Sequence, residues 1–175
     1  MAEHALTFRT ARREDLRAIV EMLADDALGR EREQLGDPLP AAYGAAFDAI
    51  AADPNNELLV ACRGDRVVAT LQITYTPSLS YRGGWRATIE SVRTAAPLRG
   101  QGIGRAFVTW AVERARARGC RLVQLTTHAS RKDAHRFYER LGFRASHVGM
   151  KLDLDHAGEP AAPRAAGPEG GGHEP

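Results

Sequence analysis

The chain has 175 residues, 43% of them hydrophobic and 26% charged, with a net charge of +2 and a mean hydropathy of -0.36. These values fit one water-soluble globular domain and leave too little chain for two well-built ones. A charge so near zero supplies no field that selects nucleic acid or an anionic membrane, and no stretch approaches the 18 consecutive apolar residues of a membrane-spanning helix.

The charge is unevenly spread. Residues 1–154 carry 23 basic and 18 acidic side chains, whereas the last 21 residues are net acidic and contain 14 Gly, Ala or Pro with no large apolar side chain. Such a segment cannot offset the entropy of ordering, so residues 155–175 are expected to be a disordered tail behind a single domain of residues 1–154. Only Lys132 and Lys151 among the basic residues are lysines; the arginine bias fits either genome-wide codon composition or arginines that read phosphate. Cys62 and Cys120 each lie within or beside an apolar run and read as buried, reduced thiols. The opening MAEHALTF lacks the basic and apolar regions of a secretory signal, so a cytoplasmic location is expected.

In chain order, residues 5–10 (ALTFRT) read as a strand. Residues 12–28 read as one helix, because Leu16, Ile19, Val20, Leu23, Ala24 and Ala27 fall on one face. A charged connector, GREREQLGD, leads to Pro40, which suits the first turn of a second helix running to about Ala52 and stopped by Asp53-Pro54-Asn55-Asn56. Two apolar strands follow, ELLVACR and RVVATLQITYT, and the Gly64-Asp65 between them is a two-residue hairpin signal for antiparallel pairing. After Gly83-Gly84, WRATIESVRT reads as a strand whose alternation puts Thr88, Glu90, Val92 and Thr94 on one face and Ala87, Ile89, Ser91 and Arg93 on the other. A helix from about Gly102 to Arg118 carries Ile103, Phe107, Trp110 and Ala111 on one stripe and ends at Gly119. The nearly continuous apolar RLVQLTT predicts a strand buried on both faces. A short helix with Ala134, Phe137, Tyr138 and Leu141 on one stripe closes at Gly142, and residues 143–154 read as a final extended pair. The expected fold class is α+β: a mixed, largely antiparallel sheet of six or seven strands, flanked by helices on both faces, with a right-handed parallel crossover over residues 85–127.

Arg99-Gly100-Gln101-Gly102-Ile103-Gly104-Arg105 lies where a strand gives way to a helix. Backbone N–H groups and the positive helix end converge there, which suits a phosphate; a bare tight connection is the other reading. The spacing fits neither G-x-G-x-x-G nor a Walker loop, so neither a dinucleotide nor ATP is indicated. The pattern V-R-x-x-x-x-x-R-G-Q-G-I-G, followed about 30 residues later by A-H-R-F-Y-E-R-L-G-F, resembles the GNAT superfamily of N-acetyltransferases. Arg99, Gly102 and Gly104 match that family's R-x-x-G-x-G loop for the pyrophosphate of acyl-CoA. The resemblance in motifs covers about residues 85–145, and the first 80 residues agree in element order only.

The resemblance implies a GNAT-like acyltransferase fold with acetyl-CoA as acyl donor and no metal. Main-chain groups of Arg99, Gly100, Gln101, Gly102, Ile103, Gly104 and Arg105 would hold the pyrophosphate, and those of Val92, Arg93 and Thr94 the acetyl carbonyl and pantetheine arm. It also implies a bulge that splays the fourth and fifth strands and opens a slot for the thioester. Arg131 stands where many members carry Asn, and either reaches a coenzyme phosphate or is solvated.

Acetyl transfer needs a neutral amine, and an alkylamine of pKa about 10.4 is about three units too protonated at pH 7, a penalty of about 4 kcal/mol. Glu90 is the expected general base; its other reading is a carboxylate paired with an arginine at a sheet edge. The N–H near Val92 would stabilise charge on the thioester oxygen. Tyr138 matches the family's general acid, which protonates the departing thiolate; its other reading is a core aromatic. His128 and His135 lack a further ligand at metal-like spacing. Cys120 reads as packing, so direct transfer is expected. The family builds its acceptor pocket from segments corresponding to residues 24–44 and 144–150, where Asp25, Asp26, Glu31, Glu33 and Glu90 would attract a cation and Arg30, Arg32 and His147 a carboxylate. The expected acceptor is a primary amine of a small molecule or peptide, and the protein a monomer or homodimer with no nucleic-acid or membrane partner. The rival is a domain that senses acyl-CoA without turning it over.

Overall fold

The computed structural model describes residues 5–25, 27–152 and 154. Five strands form one sheet in sequence order: β1 (Leu6–Thr10), β2 (Asn56–Arg63), β3 (Arg66–Thr76), β4 (Trp85–Thr94) and β5 (Cys120–Leu125). The first four pair antiparallel and β5 joins β4 in parallel, the mixed α+β sheet anticipated from the sequence. The β2–β3 hairpin turns at Gly64-Asp65 with Arg63 opposite Arg66, and Gly64 takes the positive φ that such a turn requires.

The helices are α1 (Leu16–Ala24), α2 (Ala27–Arg30), α3 (Ala41–Ala52), a single distorted turn α4 (Ser80–Gly83), α5 (Ile103–Ala117) and α6 (Lys132–Arg140). The alternation of β2 sends Leu59 and Ala61 to one face and Val60 and Cys62 to the other. On the first face they meet Leu71, Ile73, Ala87 and Ile89 beneath Ile103, Phe107, Val108 and Ala111 of α5. On the second they meet Ala11 and Ile19, with Phe47 of α3 alongside. Each fully buried Leu, Ile or Phe contributes about 1.5–3 kcal/mol of transfer free energy, and these two layers hold the end of β4 in place.

Three expectations are corrected. The helix expected over residues 12–28 is broken into a 3-10 turn (Arg13–Asp15), α1 and α2, with Asp25 as the cap that ends α1. After the break α2 folds tightly onto α1: a Cβ at Gly29 would stand 2.0 Å from the Leu23 carbonyl oxygen, an approach only glycine permits. RLVQLTT is not buried on both faces: Arg121 and Gln124 of β5, the last strand of the sheet, are exposed. Residues 143–152 and 154 form no strand, so the sheet has five strands in place of six or seven. Residues from Ser146 onward make a separate unit from Met1–Ala145, and its Val148, Met150, Leu152 and Leu154 are exposed. The expected tail, residues 155–175, lies outside the described residues.

Candidate active site at the end of the fourth strand

β4 pairs with β5 from Trp85 to Ile89 and no further, whereas its pairing with β3 continues to Thr94. Between those points Ser91 has φ +53°, and the register against β3 slips between Thr70 and Gln72. One extra residue on β4 makes a bulge. Strict alternation puts Val92 on the face of Glu90; instead Glu90 is exposed and Val92 packs on the cluster that holds Ala87 and Ile89. A left-handed residue removes one step from the period of two, so every side chain beyond it changes face. From Glu90 onward β4 has no strand partner on the β5 side among the described residues, which is the splay the family resemblance implies.

A 3-10 turn, Ala96–Leu98, leads to the glycine loop. Gly100 and Gly102 have φ +79° and +80°, and Gly102 caps α5. A Cβ on either would meet nothing within 4 Å, so left-handed backbone, not crowding, reserves these positions for glycine. The first helical bond runs from Ala106 N–H to Gly102 O at 3.0 Å. The amides of Ile103, Gly104 and Arg105 precede it and lie at the positive end of α5, a cradle that fits a diphosphate. The Arg99 side chain turns away from such a role: its Nη2 pairs with Asp25 Oδ2 at 2.7 Å and its Nε donates to the Thr94 carbonyl at 3.1 Å. Asp25, expected to attract a cationic amine, is thus engaged by Arg99. Glu33 accepts from the Tyr43 hydroxyl at 3.0 Å, and Asp26 lies outside the described residues.

Gly104 is the point where three elements meet. A Cβ there would stand 3.4 Å from Thr94 Oγ1 and 3.6 Å from Phe137 Cζ, so the end of β4, the first turn of α5 and the aromatic stripe of α6 converge. Tyr138 lies next along that stripe. Its ring is edge-on to Phe137 and Phe143, with centroids 5.0 and 5.8 Å away, and it packs half-buried against the larger core cluster. Burial pushes its hydroxyl above the ordinary value of 10, while the charges of Arg93 and Arg131 draw it back. The phenol is therefore neutral at physiological pH and has a proton to donate. Arg93 Nη1 donates to the Val92 carbonyl at 3.0 Å.

The structure thus brings Val92, Arg93, Thr94, Gly104 and, through α6, Tyr138 into one region. Glu90 stands across the bulge, paired in register with Gln72; no ion pair between it and an arginine forms among the described residues. Arg131 caps α6 and lies close enough for its charge to act on Tyr138. His128 Nδ1 meets Ser130 Oγ at 2.7 Å, and His135 Nε2 donates to the His128 carbonyl at 3.1 Å. Among the described residues no group of three or more His, Cys, Asp or Glu could hold a metal ion, and no helix is long and apolar enough to cross a membrane. Both cysteines are free, Cys62 buried and Cys120 partly so. Burial pushes both thiols up, which suits packing and not nucleophilic attack.

One feature of the site escapes a reading of residue types: Ser91 is neither Gly nor Asn, so nothing local marks its positive φ.

Residues 16–143 match the family model described as "Acetyltransferase (GNAT) family". The chain is 37% identical over 106 residues to the aminoalkylphosphonate N-acetyltransferase of Salmonella typhimurium, spanning 61% of this chain and 68% of that enzyme. It is 35% identical over 89 residues to the glucosamine 6-phosphate N-acetyltransferase of Trypanosoma brucei brucei, spanning 51% and 58%. A solved structure from Bacillus halodurans C-125, described as a transcriptional regulator, superposes with a TM-score of 0.84 at 57% identity over 86% of this chain and all of that one. The matched segment contains the bulge, the glycine loop and Tyr138 together, and the chain belongs to the GNAT acetyltransferase family as an N-acetyltransferase that takes its acyl group from acetyl-CoA.

Proposed function

We propose that the acceptor is a primary amine of a small molecule or peptide, and that Glu90 and Tyr138 move the two protons of a direct transfer. The bulge at Ser91 carries this reading. It parts β4 from β5 where Glu90 lies before the opening and Val92 to Thr94, beneath α6, lie after it. When bound, acetyl-CoA supplies an activated thioester. The amides of Ile103, Gly104 and Arg105 hold its diphosphate, and the Val92 N–H stabilises charge growing on the acyl oxygen. Glu90, exposed and with no arginine partner among the described residues, accepts a proton from the amine directly or through a water. Tyr138 donates its phenolic proton to the departing sulfur; its raised pKa keeps that proton in place until a thiolate is there to take it. Both curated relatives named above act on amines that carry a phosphorus oxyanion, and the surplus of basic side chains over residues 1–154 supports testing such amines first.

The test follows thiol release from acetyl-CoA across a panel of primary amines headed by aminoalkylphosphonates and amino-sugar phosphates. Turnover is expected with at least one. Tyr138→Phe should lower kcat by about 10²-fold with acetyl-CoA affinity, read by calorimetry, nearly unchanged. A wild-type kcat in that variant removes Tyr138 from the mechanism, and tight acetyl-CoA binding with no thiol release from any amine would favour the acyl-CoA sensor.

A further inference from the structure

We propose that the acceptor lies on a strip of neutral side chains beside Glu90, formed by Asn56, Gln72, Thr88 and Gln124, and that this strip selects a primary amine whose carbon frame carries hydroxyl groups, as an amino sugar does. The inference rests on the reading of Glu90 as the base and names the class of amine which that reading leaves open. The hydroxyls are bound and do not react. At the nitrogen the N–C bond forms as the C–S bond breaks, one amine proton passes to Glu90, and Tyr138 gives its proton to sulfur.

Three observations support it. First, the strip shares a face with Glu90. Ile73 and Ile89 are partners in register and both lie in the core beneath α5, so Gln72 and Glu90, partners one step along, point to the opposite face. On that face the register sets Thr74 between Asn56 and Thr88, and Thr88 beside Gln124. Cross-strand partners stand about 5 Å apart and alternate residues of one strand about 7 Å, so an amine held at Glu90 brings the body of a sugar-sized molecule over Gln72 and Thr88. Second, helices leave this part of the face open. The apolar cluster with Ile19 of α1 and Phe47 of α3 takes Leu58, Val60 and Cys62 from β2 and Val67 from β3, and nothing from β4 or β5. Asn56, Gln72, Thr74 and Thr88 are half-buried and Gln124 is exposed, whereas Leu71, Ile73, Ala87 and Ile89 on the other face are at most 1% exposed. Third, the polar groups are fixed in advance. Gln72 Nε2 donates to Asn56 Oδ1 at 2.9 Å and Gln124 Nε2 to Thr88 Oγ1 at 3.1 Å. The Gln72 amide keeps its carbonyl oxygen and Thr88 its O–H for a ligand. A hydrocarbon laid here would strip water from these groups and return no hydrogen bond, a loss that hydroxyls avoid. Charge stands only at the ends of the strip, with Glu90 and, past the bulge, Arg93 at one and exposed Arg86 at the other.

The experiment follows thiol release from acetyl-CoA by the full chain with glucosamine, galactosamine and 2-aminocyclohexanol, and with cyclohexylamine as the ring that lacks hydroxyls. The readout is the ratio of kcat/KM for the best hydroxylated amine to kcat/KM for cyclohexylamine. Differences in basicity between the amines enter this ratio equally in every variant and cancel on comparison. The wild type should favour a hydroxylated amine, and Gln72→Leu and Thr88→Val should each lower the ratio about tenfold. Acetyl-CoA affinity, read by calorimetry, should stay within about twofold of wild type in both. Thr88→Val matches threonine in shape and suits a strand, so it carries the test should Gln72→Leu fail to fold. An unchanged ratio in the folded variants overturns the strip. A wild type that favours cyclohexylamine, or that turns over only an aminoalkylphosphonate, overturns the hydroxylated class and leaves Glu90 and Tyr138 in their roles. Thiol release from no amine at all overturns the transfer reading, and this inference with it.

Discussion

Asp15 illustrates what one carboxylate contributes. It is buried, accepts both arms of the Arg9 guanidinium at 2.6 and 2.9 Å, and takes the Arg12 N–H at 2.7 Å. These bonds, that of Arg9 foremost, hold its carboxyl below the ordinary range. A group whose folded pKa is depressed adds stability above its unfolded pKa, about 3.9, and loses it as pH falls through the lower folded value. Asp15→Asn should therefore cost about 1.5 kcal/mol at pH 7, the low end for a charged bond because Arg9 is partly exposed. The gap from wild type should narrow as pH falls below about 3.9 and close only below the lower folded value, in denaturant titrations across pH. Gly102 makes a different argument. Gly102→Ala puts a methyl into open space but asks an L-residue to hold φ near +80°, a strain of about 1–2 kcal/mol. The melting temperature should fall by about 2–4 °C per kcal/mol at this size, and calorimetry should show acetyl-CoA affinity reduced as well. Normal affinity would mean that the diphosphate binds elsewhere.

At the scale of elements, β4 shows how far a pattern can be read. Its existence is legible from alternation, as the β2–β3 hairpin is from the Gly64-Asp65 turn, because both are local properties; its pairing with β3 is a finding of the structure. The bulge is not legible. Sequence alternation runs through Ser91 undisturbed, and only pairing with β3 reveals the extra residue. Ser91→Gly should stabilise the protein by up to about 1 kcal/mol, since glycine takes positive φ without strain, whereas Ser91→Val should destabilise it by about 2 kcal/mol or more. Thermal melts of the pair check this; a neutral Val variant would mean that the strand runs without the bulge. The broken helix at Asp25 is similar. Ala24 and Ala27 stay in phase on one face, so periodicity cannot see the cap, and the tie from Arg99 that holds it comes from 74 residues away.

For the whole molecule, the donor substrate should be a folding ligand. Binding to the native state alone stabilises by about 2.7 kcal/mol at 100 times Kd, so acetyl-CoA should raise the melting temperature of the wild type, and less so that of Gly102→Ala at the same concentration. Deleting residues 155–175, a Gly, Ala and Pro-rich stretch with no large apolar side chain, should change neither that shift nor the melting temperature of the free protein. A lower melting temperature would mean that the segment packs on the domain. The final extended pair expected over residues 143–154 does not form in 143–152 or 154; an extended-looking segment has a capacity to pair and not a partner. The glycine loop, the acyl donor it implies, the β2–β3 hairpin and the α5 stripe are all determined by residues within a few positions of one another, because positive φ, helix ends and periodicity are local quantities. The bulge that turns Val92 to the core and the pairing of Arg99 with Asp25 were decided by packing among segments remote in sequence, where no single residue type carries the signal.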